Sequence, residues 1–235
     1  MKLVFVHGLG GEDGGPLERN LFEYADRESC ELLTIRWAAG NFKKIAGGDL
    51  WDLAQEAVTE HHPWRFAIRV IVRVQQEAHQ HWDSALGNAT RATQKLVGVI
   101  KFLAGSGEEF SVVGFSLGGR VLMSALQVIG DPGAQMRRAV FAAAAVSSSN
   151  FARLQPALLS GGRIVNVYSD DDEVLASLYP IVHGLDGAAG TGPVLVSGGE
   201  NVKVAAGHLS YAKLGRKFVA LATAPAQQRS LLPAI

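Results

Sequence analysis

The sequence predicts an α/β fold with a mostly parallel sheet and helices on both faces of that sheet. Short apolar runs alternate along the chain with longer segments that have the apolar spacing of helices. Many of the short runs are continuously apolar, which is typical of parallel strands that are covered on both faces.

The first apolar run, residues 3–6, predicts a strand that leads into the glycine-rich loop of residues 7–11. Glycines there allow backbone conformations that other residues avoid, so backbone N–H groups can converge on an anion or a polarised carbonyl. Pro16 fits the first turn of a helix that runs to about Arg27. Residues 30–37 predict a second strand.

A long helical excursion follows at about residues 38–104, with three predicted helices at residues 49–60, 64–82 and 88–103. The middle helix carries one basic row on an otherwise apolar surface, formed by Arg65, Arg69 and Arg73. Two interpretations stay open for it. Residues 64–82 pack on the sheet with the arginines in solvent, or they form a cap or lid that contacts lipid or a partner.

The next strand and helix meet at a single serine. An apolar run at residues 110–115 predicts a strand, and residues 117–129 have helical apolar spacing, so Ser116 lies at the junction. Gly114 and Gly118 flank it with the spacing G-x-S-x-G, which allows the strand and the helix to approach closely around a strained turn.

The rest of the chain, residues 130–235, continues the alternation of strands and helices. Strands are predicted at residues 138–145, 163–169, 193–197 and 202–205, and helices at residues 151–160, 170–182 and 209–222. We therefore expect a single domain, residues 1–235, with a helical insertion before Ser116.

Composition restricts the class of protein. The 22 basic and 22 acidic residues leave no net charge, so we expect no nucleic-acid partner. Cys30 is the only cysteine, which excludes an intrachain disulfide and a cysteine-based metal cluster. The first apolar run is too short for a signal peptide, and arginines interrupt the best candidate for a membrane span. We expect a cytoplasmic protein without a metal or cofactor.

A serine hydroxyl becomes a good nucleophile only when a base accepts its proton and a carboxylate orients that base. The strand at residues 163–169 delivers three candidate acids, Asp170, Asp171 and Asp172, and at least one of them is expected to cap the next helix. Of the seven histidines, four lie in the helical excursion and His7 precedes the glycine loop, which leaves His183 and His208 as candidates for the base. No strand separates His183 from the aspartates, whereas His208 follows two predicted strands, so we favour His208 as the base.

Four segments together resemble the α/β-hydrolase superfamily: residues 7–9, 114–118, 172–175 and 207–208. By this resemblance Ser116 is the nucleophile, His208 the base and Asp172 the acid, with Asp171 as the second choice. The N–H groups of Leu9 and Leu117 would form the oxyanion hole. Residues 114–124, 165–179 and 207–211 further resemble a sparsely characterised branch that includes transmembrane and coiled-coil domain proteins.

The sequence thus predicts a serine hydrolase that cleaves a carboxylic ester through an acyl-enzyme, and the apolar helical excursion favours a lipid or other apolar acyl ester. A thioester or an amide would use the same residues, and a non-catalytic binding or scaffold protein that retains the fold is the alternative class. The expected partner is a small-molecule ester. Contact with a membrane surface is open but not favoured, and the sequence names no partner protein.

Overall fold

The computed structural model describes residues 1–8, 15–37, 87–154, 163–183, 187–195 and 199–224. Within these ranges six strands form one sheet: β1 (Lys2–Val6), β2 (Glu31–Ile35), β3 (Phe110–Phe115), β4 (Met136–Ala142), β5 (Ile164–Tyr168) and β6 (Glu200–Lys203). Their order in the sheet is β2-β1-β3-β4-β5-β6, and every neighbouring pair is parallel. The predicted α/β class with a mostly parallel sheet is confirmed.

The described helices are α1 (Pro16–Arg27), α2 (residues 87–106), α3 (Leu117–Ile129), α4 (Glu173–His183) and α5 (Gly215–Thr223). Three short 3₁₀ helices, at Ser148–Arg153, Ala189–Thr191 and His208–Leu214, lie in the connections. In the part of the chain that the structure describes, no helix has both the length and the apolarity to cross a bilayer.

Helices cover both faces of the sheet. Successive residues of β3 point to opposite faces, so Gly114 and Ser111 show which helix lies on each face. Gly114 lies directly against the first turn of α3. On the opposite face, Ser111 Oγ donates a 2.7 Å hydrogen bond to the Ala222 carbonyl of α5. The strand between these two helices is buried almost throughout, which fits its largely apolar sequence.

The parallel arrangement brings four connections to one edge of the sheet, because all six described strands end on the same side. The connections begin after β1, β3, β5 and β6, and they contain His7, Ser116, Asp172 and His208 respectively. Ligands of open α/β sheets bind at this carboxyl edge. The fold therefore places the chemically versatile side chains of the sequence in one region.

Several predicted elements differ from the observed ones. β4 ends at Ala142, because Ala143 adopts a positive φ of 44° and leaves the sheet. Residues 193–195 are not in a strand, and residues 151–153 of the predicted helix 151–160 belong to the 3₁₀ helix Ser148–Arg153. The remainders of these two predictions, residues 196–197 and 155–160, lie outside the described residues. The helices predicted at residues 49–60 and 64–82 lie outside the described residues, so the cap or lid stays a prediction.

Candidate active site

Ser116 occupies a strained turn between β3 and α3. Its φ of 54° and ψ of −120° lie in a region that residues other than glycine rarely adopt. Such a conformation costs about 1–3 kcal/mol, and the surrounding structure must impose it. Here the Ser116 N–H donates to the Ala142 carbonyl, while the Ser116 carbonyl accepts from the amides of Gly119 and Ala145, so three hydrogen bonds fix the turn.

The two glycines of the G-x-S-x-G motif are required by close backbone contacts. A Cβ on Gly118 would lie 2.1 Å from the Val6 carbonyl oxygen of β1, and a Cβ on Gly114 would lie 2.6 Å from the Gly118 carbonyl oxygen. Both distances are far below van der Waals contact. The glycines therefore allow α3 to start directly on top of β1 and β3.

We expect Gly118→Ala to destabilise the protein by about 3 kcal/mol or more, because the backbone carbonyl of Val6 cannot move aside cheaply. Gly98→Ala is the matched control. Gly98 lies inside α2 and a Cβ there would meet no atom within 4 Å, so that change should stabilise the protein by about 0.5–1 kcal/mol. Urea unfolding curves of both variants measure the difference, and equal midpoints would contradict the close contact.

Ser116, His208 and Asp172 form a continuous series of hydrogen bonds. Ser116 Oγ lies 3.0 Å from His208 Nε2, and His208 Nδ1 lies 2.8 Å from Asp172 Oδ2. In the tautomer that carries its proton on Nδ1, His208 donates to Asp172 and its Nε2 can accept the hydroxyl proton of Ser116. Exposed fractions of 4%, 9% and 0% for Ser116, His208 and Asp172 show that water barely reaches these bonds.

Asp172 combines two tasks that the sequence presented as alternatives. Its Oδ1 accepts from the Leu175 amide at 3.0 Å and so caps α4, while Oδ2 faces His208. The helix thereby holds the carboxylate in one orientation. Asp170 instead pairs with Lys203 at the surface, and the side chain of Asp171 is exposed.

Ser169 joins the two loops that carry Asp172 and His208. Its buried Oγ accepts hydrogen bonds from the Asp171 amide at 3.1 Å and from the Ala206 amide at 3.2 Å. Ala206 lies two residues before His208, and Asp171 directly precedes Asp172. One hydroxyl thus fixes the distance between the carboxylate loop and the imidazole loop.

The His208 ring packs against Phe115, the residue that precedes Ser116. Their ring centroids are 5.2 Å apart, and Phe115 also contacts Tyr211, which in turn stacks on Phe218 of α5. Burial, together with the charge of Asp172, raises the pKa of Tyr211, which keeps this phenol neutral. The aromatic series restricts rotation of the imidazole away from Ser116.

Of the two predicted oxyanion-hole residues, the structure describes Leu117 but not Leu9. Leu117 is the first residue of α3, so its N–H is one of the first-turn amides that have no acceptor within the helix. Leu9 lies outside the described residues. The preceding residue, Gly8, is described, and a Cβ there would lie 2.7 Å from Ser116 Cβ and 3.3 Å from Ser116 Oγ.

His7 lies beside this region and belongs to a second buried polar group. Its Nε2 is 2.6 Å from Glu18 Oε2, and Arg36 approaches the same carboxylate with Nη2 at 2.8 Å from Oε1. Burial lowers the pKa of His7, and the positive charge of Arg36 adds to this, although the contact with Glu18 opposes both. Burial alone would raise the pKa of Glu18, but hydrogen bonds from Arg36 and His7 outweigh it and lower the pKa.

These shifts predict that stability falls in acid. Because the folded pKa of His7 lies below its ordinary 6.5, the unfolded chain binds more protons, and stability is lost as pH falls below about 6.5. The lowered pKa of Glu18 adds a second loss below about 4.5. His7→Gln, which cannot ionise, should flatten the dependence between pH 6.5 and 4.5 in urea unfolding. A slope equal to that of the parent would show that His7 titrates normally in the folded state.

Sequence reasoning named His7 as the start of the glycine loop and as part of the segment 7–9 that carries the resemblance, and it did not identify Glu18, Arg36 or Ser169. One signal for Glu18 was available. It shares the buried face of α1 with Leu17, Leu21 and Ala25, and a carboxylate in an apolar helix face needs a partner. Among the described residues, no three His, Cys, Asp or Glu side chains gather as candidate metal ligands.

Comparison with known proteins gives relatives in sequence and a likeness in structure. The chain is 32% identical over 145 residues to the transmembrane and coiled-coil domain-containing protein STS1 of Oryza sativa subsp. japonica, and 30% identical over 145 residues to the uncharacterized membrane protein C6F6.13c of Schizosaccharomyces pombe. Each alignment covers 59% of this chain but only 22% and 25% of those proteins, so the chain spans about a quarter of their length.

A crystal structure from Xanthomonas campestris pv. campestris, described as belonging to the hydrolases of the alpha/beta superfamily, aligns with 94% of this chain and 95% of its own, at a TM-score of 0.49 and 15% identity. A match to a protein-family model covers more of the chain than the alignments with these two relatives. It covers residues 62–222, which is more than half of the 235 residues. The chain therefore belongs to the family described as "protein of unknown function (DUF726)".

Proposed function

We propose that this protein is a serine hydrolase that cleaves a carboxylic ester through an acyl-enzyme intermediate. The observation that carries the proposal is the buried hydrogen-bonded series from Ser116 through His208 to Asp172, which starts at a strained strand-to-helix turn. A buried carboxylate, an imidazole and a hydroxyl in this order are the parts that acyl transfer to serine needs.

In the proposed reaction His208 Nε2 accepts the Ser116 hydroxyl proton while Oγ attacks the carbonyl carbon of the ester. Asp172 stabilises the imidazolium that forms, because its Oδ2 accepts a hydrogen bond from Nδ1–H while the proton stays on Nδ1. The imidazolium then gives its Nε2 proton to the departing alcohol, and the acyl group stays on Ser116. Water activated by His208 hydrolyses the acyl-enzyme in the second half of the reaction.

The negative charge on the carbonyl oxygen would be stabilised by the N–H groups of Leu117 and Leu9. Support for Leu117 comes from its position at the start of α3, where the helix dipole favours an anion. Leu9 follows Gly8, which packs against Ser116. Removing one such donor from an oxyanion hole typically costs about 10²–10³ in kcat.

Labelling with a fluorophosphonate probe tests the proposal, because only an activated serine reacts quickly. We expect stoichiometric labelling of Ser116 in the parent, none in Ser116→Ala, and normal labelling in Ser124→Ala, a half-buried serine of α3. Peptide mapping locates the adduct. Folded parent protein with an unmodified Ser116 peptide would favour a binding or scaffold role.

The acyl and leaving groups can be assigned once labelling is seen. We expect p-nitrophenyl esters to be hydrolysed faster than the corresponding anilides, because an amide is a less reactive acyl donor. A thioester series of equal acyl chain tests the thioesterase alternative. Turnover of the thioester but not of the oxygen ester would replace the ester in the proposal.

A further inference from the structure

Glu18 is a carboxylate on the buried face of α1, with a side chain that is only 11% exposed. Its partner Arg36 is about half exposed, so screening by water weakens their attraction. Replacing a buried ion pair by apolar residues is often neutral for stability or even stabilising. Stability alone therefore gives no clear reason for a carboxylate on this face of α1.

The contacts of His7 link Glu18 to the nucleophile. Besides its side-chain contact with Glu18, His7 has its carbonyl oxygen fixed by Trp37 Nε1 at 2.8 Å. The backbone of the next residue then lies against Ser116, since a Cβ on Gly8 would be 2.8 Å from the Phe115 carbonyl oxygen and 2.7 Å from Ser116 Cβ. The His7 carbonyl also faces Gly118, where a Cβ would lie 2.7 Å away.

We propose that Glu18 is a positioning residue for Ser116: it holds the His7 side chain, and His7 in turn keeps the His7–Gly8 backbone in contact with the turn at Ser116. This inference rests on the proposed serine hydrolase function. Trp37 holds the same peptide from its carbonyl side. The side chain and the carbonyl of His7 are thus fixed by Glu18 of α1 and by Trp37, which lies two residues after β2.

This role predicts a particular kinetic signature. Glu18 contacts His7 and Arg36 rather than Ser116, so its loss should lower the rate of acylation and leave substrate affinity unchanged. Displacement of a reacting group by about 1 Å can cost about 10²-fold in rate. We expect Glu18→Leu to slow fluorophosphonate labelling about 10- to 100-fold at saturating probe. Glu18→Gln keeps an acceptor for His7 and should retain most of the parent rate.

The matched control is Glu109→Leu. Glu109 also pairs with an arginine, Arg137 at 3.0 Å, but it precedes β3 at the opposite end of the sheet, so labelling should not change. Trp37→Phe removes the donor to the His7 carbonyl without altering charge, and it should also slow labelling. This variant gives an independent test if Glu18→Leu does not fold.

Labelling rates at saturating probe, probe affinity and amide hydrogen exchange at Ser116 and Gly119 are measured on all five proteins. A slow rate with unchanged affinity in Glu18→Leu and Trp37→Phe, with Glu18→Gln and Glu109→Leu near the parent, supports the proposal. Labelling at the parent rate in both Glu18→Leu and Trp37→Phe overturns the proposal. If the parent itself is not labelled, the hydrolase function fails, and exchange decides the positioning role. Faster exchange at Ser116 in Glu18→Leu supports it, and unchanged exchange overturns it.

Discussion

Replacing Ser116 with Ala should lower kcat for ester hydrolysis by a factor on the order of 10⁴–10⁶, and replacing His208 with Ala should have a similar effect. The double variant should be hardly worse than either single variant. The reason is the single 3.0 Å contact between Ser116 Oγ and His208 Nε2, because the imidazole has no proton to accept once the hydroxyl is gone. Without the imidazole, the hydroxyl keeps its proton and stays a weak nucleophile.

The four proteins of this cycle need to be compared at one ester concentration well above KM and at equal folded fraction. Neither change should unfold the protein, since Ser116→Ala removes one oxygen and His208 lies at the edge of the sheet after β6. His183→Ala serves as the control, because His183 is the other histidine that follows Ser116. Losses that multiply in the double variant would mean that the two residues act separately, and a damaging His183→Ala would move the base to His183.

The sequence predicted those parts of the fold that depend on local patterns. The bounds of α3 follow from the turn at Ser116 and from Gly130, which ends the helix with a positive φ of 74°. Pro16 starts α1 as expected. The set Ser116, Asp172 and His208 was named from the resemblance to α/β-hydrolases. Its members could be expected to meet because parallel strands share one carboxyl edge, where loops that are far apart in sequence come together.

Other features depend on contacts between distant segments, which local pattern does not encode. The alanine run at residues 142–145 reads as a longer strand, but residues 144 and 146 accept hydrogen bonds from Gly190 and Ala189 instead of continuing the sheet. Residues 193–195 are held by Asn201, whose side chain bonds both the amide and the carbonyl of Val194. A side chain thus takes the place that a neighbouring strand would have.

The ion pair formed by Glu18 and Arg36 shows the same limit for the site. The two residues are 18 positions apart, and only the packing of α1 beside β2 brings them together. The sequence shows that a carboxylate lies on an apolar helix face, but not which cation meets it. His7 could therefore be assigned to the glycine loop, while its partner could not be named before the fold was known.

Asp172→Asn should lower kcat by a factor on the order of 10³–10⁴, while Asp171→Asn should change it by less than about threefold. In the parent, Oδ1 of Asp172 caps α4 at the Leu175 amide and Oδ2 accepts from His208. An asparagine can keep the cap with its one oxygen. Its NH₂ group then faces His208 Nδ1 and stabilises the wrong tautomer, in which Nε2 carries the proton and cannot accept one from Ser116.

Because the cap survives in Asp172→Asn, the free energy of unfolding should fall by only about 1 kcal/mol or less, which separates the chemical role of the carboxylate from its structural role. Asp172→Ala removes the cap as well and should be both inactive and less stable. Asp171→Asn is the matched control, since the side chain is exposed and the hydrogen bond from the backbone N–H of residue 171 to Ser169 Oγ is unaffected. Steady-state kinetics and urea unfolding of the three variants give both quantities, and equal kinetic losses at the two aspartates would assign the carboxylates a shared electrostatic role instead.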